Sequence, residues 1–312
     1  YRTRVFKFKF YIYLHKMVST QNSSYFYSLK YYQTMNNEDL EIIASEETGD
    51  TKVEVLSYKV LRGSSDPRTA ETLFFASQAG MRLKMVRITI NNSNVRVEPG
   101  ALYHMKGELE IKASTGGGVL KGLARKVTSG ESFFVNEIHG SGEIYLEPTF
   151  GHFLLHRIQE SDDGIICDKK MFYAGTNNLD IGASIQKNIS SAFFGGEGFW
   201  QTSINGDGIA VLYSPVPVEE VNEYDINGDK LSVDGNFALM RTTGVEFKAE
   251  KSSKSWVATS VSGEGLLQTF TGKGKVWIAP TQGVYEDMAT PDGLSKLSVP
   301  PGSMGTITDK DD

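Results

Sequence analysis

The chain has 312 residues, enough for one large domain or two small ones, with 39% hydrophobic and 22% charged residues and a net charge of −6. A single cysteine, Cys167, excludes an internal disulfide and points to a reducing, cytoplasmic setting. No apolar run approaches the roughly 20 residues a membrane-spanning helix needs, and an acidic body is a poor partner for phosphates, so nucleic-acid binding is not expected.

Residues 1–34 carry Arg2, Arg4, Lys7, Lys9, Lys16 and Lys30 and no acid, which leaves a charge of −12 on the remainder. Lysines interrupt the apolar part of YRTRVFKFKFYIYLHK and no small-residue cleavage site follows, so it makes a poor signal peptide. Met17 and Met35 each offer a start. Residues 1–34 are therefore expected to be a basic arm, disordered or upstream of the natural start. Residues 35–290 are expected to form one β domain. Its leading strands fall between Lys52 and Met105, where KVEVLSYKVL and MVRITINNSNVRVEP show the period of two that half-buried strands require.

Beyond Met105 the chain repeats itself. GESFFVNEIHGSGEIYLEP begins at Gly130, GEGFWQTSINGDGIAVLYSP at Gly196 and GEGLLQTFTGKGKVWIAP at Gly263. Their Gly-x-Gly steps start at Gly140, Gly206 and Gly272, with spacings of 66 and 66. A second marker precedes each: LEIKAS around Ile111, LDIGAS around Ile181 and VEFKAE around Phe247. Two markers in one order indicate three pseudo-equivalent units of about 66 residues. Alternation predicts a strand after each Gly-x-Gly, ended by Pro148, Pro215 and Pro280. The glycines Gly140, Gly142, Gly206, Gly208, Gly272 and Gly274 are expected to turn corners or open bulges. Because strands and not helices follow them, they do not read as phosphate loops. INGD at 226–229 predicts a hairpin. Gly118–Lys126 is a short helical candidate, and residues 291–312, rich in turn formers, are expected to be a mobile tail.

GGGVLKGLARKVTSGESFFVNEIHGSGEIYLEP followed by GGEGFWQTSINGDGIAVLYSP resembles the family named after altered inheritance of mitochondria protein 24, over about Val53 to Tyr285. The resemblance implies an all-β double-stranded β-helix, or β-sandwich, of three pseudo-equivalent units, grouped with folds like that of the trp RNA-binding attenuation protein. It implies no settled activity for bacterial members. The mitochondrial member is associated with inner-membrane organisation, a location not carried over to this chain.

Catalytic patterns are weak. His152 and His156 are four apart, but on a strand that separates them by about 13 Å, too far for one metal. No H-x-H of a cupin metal site occurs. Asp225, Asn227 and Asp229 resemble a calcium loop, yet the glycine is misplaced and position twelve is Asn236. Cys167 has no base partner and reads as a half-buried structural thiol. Glu131, Glu197 and Glu264 recur once per unit and are the candidate metal ligands, with His104 or His139 as possible companions in a metal- or small-molecule-dependent enzyme. Two of the three linkers before the Gly-Glu motifs mix apolar and basic residues. Leu120, Leu123, Arg125, Phe193 and Phe194 are therefore the expected interaction surface. The expectation is a non-enzymatic β scaffold without cofactors, homo-oligomeric, presenting these linkers to a protein partner or a membrane surface.

Overall fold

The computed structural model describes residues 39–63, 65–114, 135–160, 162–168, 170–185, 200–234, 237–251 and 266–298. They fall into two compact units, one comprising residues up to Ile42 and Ser57–Arg82, the other Ile43–Leu56 and everything from Leu83. In the first unit, α1 (Pro67–Gln78) begins where Asp66 accepts hydrogen bonds from the Thr69 backbone N–H at 2.9 Å and its hydroxyl at 2.8 Å, with proline in the first turn. Asp39 forms a double hydrogen bond with Arg62, at 3.0 Å through Nε and 2.6 Å through Nη2.

The second unit is β throughout its core, as the alternation predicts, in two sheets of eight strands. One holds β1 (Leu40–Thr48), β2 (Thr51–Tyr58), β3 (Lys84–Val97), β4 (Leu102–Ser114), β5 (Val135–Leu146), β6 (His152–Ile158), β8 (Phe172–Thr176) and β11 (Gly208–Ser214). The other holds β7 (Ile165–Asp168), β9 (Leu179–Ile185), β10 (Trp200–Gly206), β12 (Asn222–Asn227), β13 (Leu231–Asp234), β14 (Ala238–Thr242), β15 (Val245–Lys251) and β16 (Leu266–Ile278). One apolar cluster draws Phe172, Ala210 and Leu212 from the first sheet and Ile165, Ile181, Ile204 and Met240 from the second, so the sheets share a core. One further cluster lies within each sheet, around Ile88, Val95 and Ile138 in the first and around Val245, Phe247 and Phe270 in the second.

One pairing register occurs three times. Gly140 faces Leu109, Gly206 faces Leu179 and Gly272 faces Val245. Two residues along, Ile138 faces Ile111, Ile204 faces Ile181 and Phe270 faces Phe247. The glycine is dictated by a close approach: a Cβ on Gly140, at φ +127°, would lie 1.9 Å from the Glu108 carbonyl oxygen. Gly206 and Gly272 approach the carbonyls of Asn178 and Gly244 in the same way. Gly142 and Gly274 also have positive φ, but Gly208 does not; a Cβ there would meet Thr176 Oγ1 at 2.2 Å, so its role is close packing. That oxygen accepts the Ile209 N–H at 2.9 Å.

Two expectations change. Asn227-Gly228 forms a turn, with the Asn227 N–H donating to Asp229 Oδ1 at 2.9 Å, but it does not close a hairpin. β12 and β13 pair with successive parts of β16 and not with each other, because turn chemistry sets a reversal without choosing the partner strand. Past β16, α2 (Gln282–Met288) is followed by α3 (Gly293–Leu297), so a helix occupies part of the stretch expected to be a tail. The helical candidate at Gly118–Lys126 lies outside the described residues.

Candidate interaction site on β4

β4 pairs with β5 along its length and has no partner on its other edge among the described residues. Alternation places Met105, Leu109 and Ile111 on one face, opposite Ile144, Gly140 and Ile138 of β5. Tyr103 is 56% exposed, Met105 37% and Ile111 43%. The equivalents of Ile111 are core residues: Ile181 is fully buried and Phe247 nearly so. The strands that stand where the first part of β4 stands, β8 and β14, are mostly buried and paired on both edges. β4 therefore stands at an edge among the described residues, where its counterparts β8 and β14 stand inside their sheets.

Its opposite face is ordered by aromatic contact. His104 stacks on Tyr145 with centroids 4.3 Å apart and meets Tyr103 edge-on at 5.1 Å. On the far side of Tyr145, Arg87 reaches the buried Glu54 at 2.8 Å, and Lys52 lies 2.7 Å from the same carboxylate. Burial alone would raise the Glu54 pKa, but the hydrogen bonds and charges of Lys52 and Arg87 outweigh it and hold the group below its ordinary value. An open groove of about 530 Å³ adjoins the other end of β4, lined by Ser93, Asn94, Glu108, Leu109 and Glu110. Ser93 Oγ and Asn94 Oδ1 are buried there with no hydrogen-bond partner. At the groove wall Glu137 joins Arg96 at 3.0 Å to His139 at 3.3 Å.

The residues singled out for chemistry do not converge. Glu131, Glu197 and Glu264, and the linker residues Leu120, Leu123, Arg125, Phe193 and Phe194, lie outside the described residues. His104 and His139 face Tyr145 and Glu110, six ladder positions or about 20 Å apart along the β4–β5 pair, so they do not share one site. His152 and His156 lie on β6; His156 meets Trp277 edge-on at 5.5 Å, and burial lowers its pKa, favouring neutral imidazole. A cleft of about 490 Å³ runs beside it, lined by Asp162, Asp163, Glu223, Lys275 and Trp277 among others. Glu223 accepts the Trp277 Nε1–H at 2.8 Å and pairs with Lys275, and Asp162 accepts the Gln159 N–H at 2.9 Å. Among the described residues no group of three or more His, Cys, Asp or Glu side chains could hold a metal ion.

Cys167 is wholly buried, more than its sequence context suggests, and burial pushes its thiol up to about 12. At pH 8 the thiolate is then about one part in ten thousand. The native protein is expected to resist a thiol-exchange reagent until it unfolds; a rapid stoichiometric reaction without denaturant would contradict this placement.

With the open strand and the recurring register in view, the relatives can be placed. A family model described as mitochondrial biogenesis AIM24 matches residues 76–281. The chain belongs to the AIM24 family. An uncharacterized protein of Streptococcus pyogenes serotype M6 is 21% identical over 233 residues, covering 71% of this chain and 91% of that protein. The crystal structure of the Streptococcus pyogenes protein SPYM3_0169 is similar at 19% identity and a TM-score of 0.46, over 64% of this chain and 88% of that one. Sequence resemblance and family match thus agree for this AIM24 member. Among the described residues no helix is long and apolar enough to cross a membrane.

Proposed function

We propose that this chain is a non-enzymatic β scaffold, built of three pseudo-equivalent units, that works by associating with another polypeptide through β4. The observation that carries the reading is the exposure of Tyr103, Met105 and Ile111 on a strand with an open edge. An unpaired edge offers a row of N–H and C=O groups, and an incoming extended segment would complete the sheet while covering the apolar face. The segment containing Leu120, Leu123 and Arg125 follows β4 in the chain and leads to β5.

Because Met105 is exposed, Met105→Glu is expected to keep the thermal midpoint within about 2 °C of the unsubstituted chain. It should nevertheless lose the proteins that co-purify with the unsubstituted chain from its source cells. Recovery of the same proteins by both chains would sink the reading.

A further inference from the structure

Neighbouring units of the chain join by one rule, used twice. Near its end β3 pairs antiparallel with β8, Val95 facing Thr176 and Val97 facing Ala174. β7 pairs with β14 in the same manner, Ile165 facing Thr242 and Cys167 facing Met240. Val95 and Ile165 are equivalent to Leu231 of β13, because the three face Ile138, Ile204 and Phe270, each 66 residues after the last. By the same test His104 of β4 is equivalent to Ala174 and Met240, the three facing Tyr145, Val211 and Trp277. β13 is therefore a third joining strand and β4 a third receiving strand. Among the described residues β13 pairs only with β16, and β4 only with β5.

We infer that β13 of one copy of this chain pairs antiparallel with β4 of a second copy, Leu231 opposite Lys106 and Val233 opposite His104. The inference rests on the proposed role of β4 and names its partner. The two edges belong to one compact unit, and there β4 remains exposed on both faces, so it is not covered by the β13 of its own chain. One molecule thus carries one edge of each kind, each matched to the other, which is the geometry of head-to-tail association into rings or open chains. Glu108, Glu110 and Lys112 follow the receiving stretch and place charge where further pairing would run on, confining the contact to a short ladder like those within the chain.

The register places Ser232 opposite Met105, both exposed. Met105→Cys and Ser232→Cys are made in separate full-length chains, with buried Cys167 leaving the new thiols as the reactive pair. Under mild oxidation each variant alone should stay at 34.4 kDa on a non-reducing gel, while an equimolar mixture should give a two-chain band as the main product. The doubly substituted chain should give a ladder of multiples. No two-chain band from the mixture, or only an internally bridged single chain from the double variant, would overturn the inference. As a second measurement, sedimentation of the unsubstituted chain over a roughly hundred-fold concentration range should show mass rising above that of one chain; a constant 34.4 kDa would also overturn it. Those failures would leave the role of β4 standing if Met105→Glu still loses other co-purifying proteins. If that variant loses none, both fall.

Discussion

Truncating Ile181 to alanine is expected to lower the free energy of unfolding by about 4 kcal/mol, whereas the same change at Ile111 should cost less than about 1 kcal/mol. The two residues occupy equivalent places in the recurring register, facing Ile204 and Ile138. Any difference between them therefore reports surroundings and not local sequence. Ile181 is fully buried in the core shared by both sheets, so its removal leaves a cavity that rigid strands on either side cannot close. Ile111 is 43% exposed and its truncation mostly removes surface already in water. Denaturant unfolding of the two variants at low protein concentration measures the difference directly. Equal losses would mean that β4 is covered in solution even when chains are dilute.

A loss of about 3 kcal/mol is expected for Gly140→Ala, lowering the thermal midpoint by about 6–12 °C. Two penalties coincide there. The backbone angle of +127° disfavours any L side chain, and the added Cβ would fall 1.9 Å from the Glu108 carbonyl oxygen, which belongs to the backbone and has no rotamer to change. Gly182→Ala provides the contrast. The nearest atom to a Cβ at that position is Ser203 Oγ at 3.5 Å, an ordinary contact, and that variant should stay within about 1 kcal/mol of the parent. Calorimetry on both distinguishes steric necessity from a general intolerance of change in these strands. Equal midpoints for the two would remove the account of the Gly-x-Gly step.

The recurrence of the glycines could be read from sequence because the constraint is local: wherever one backbone closely approaches another, only glycine fits, and the demand returns at Gly206 and Gly272. Alternation likewise marked β3 and β16 through their apolar residues. α1 escaped notice although Asp66-Pro67 is a helix-start signal, because its apolar residues Phe74 and Phe75 are exposed and produce no clear buried stripe. Asn227-Gly228 was legible as a turn, but its flanking strands pair with β16, a choice made by residues some 40 positions away. The open edge of β4 was hidden for the same reason. The first part of β4 corresponds in register to β8 and β14, and nothing within LYHMK records that those two have a second partner strand while β4 pairs only with β5 among the described residues.

The long separation of β4 from β13 also orders events during synthesis. About 125 residues lie between Lys106 and Leu231, which a ribosome adds in about 6 to 25 seconds. Throughout that interval the receiving strand has emerged while the joining strand of the same chain does not yet exist. If β4 and β13 pair as inferred, the first β13 available to a nascent β4 therefore belongs to a copy completed earlier, and the order of translation itself would favour contact between molecules.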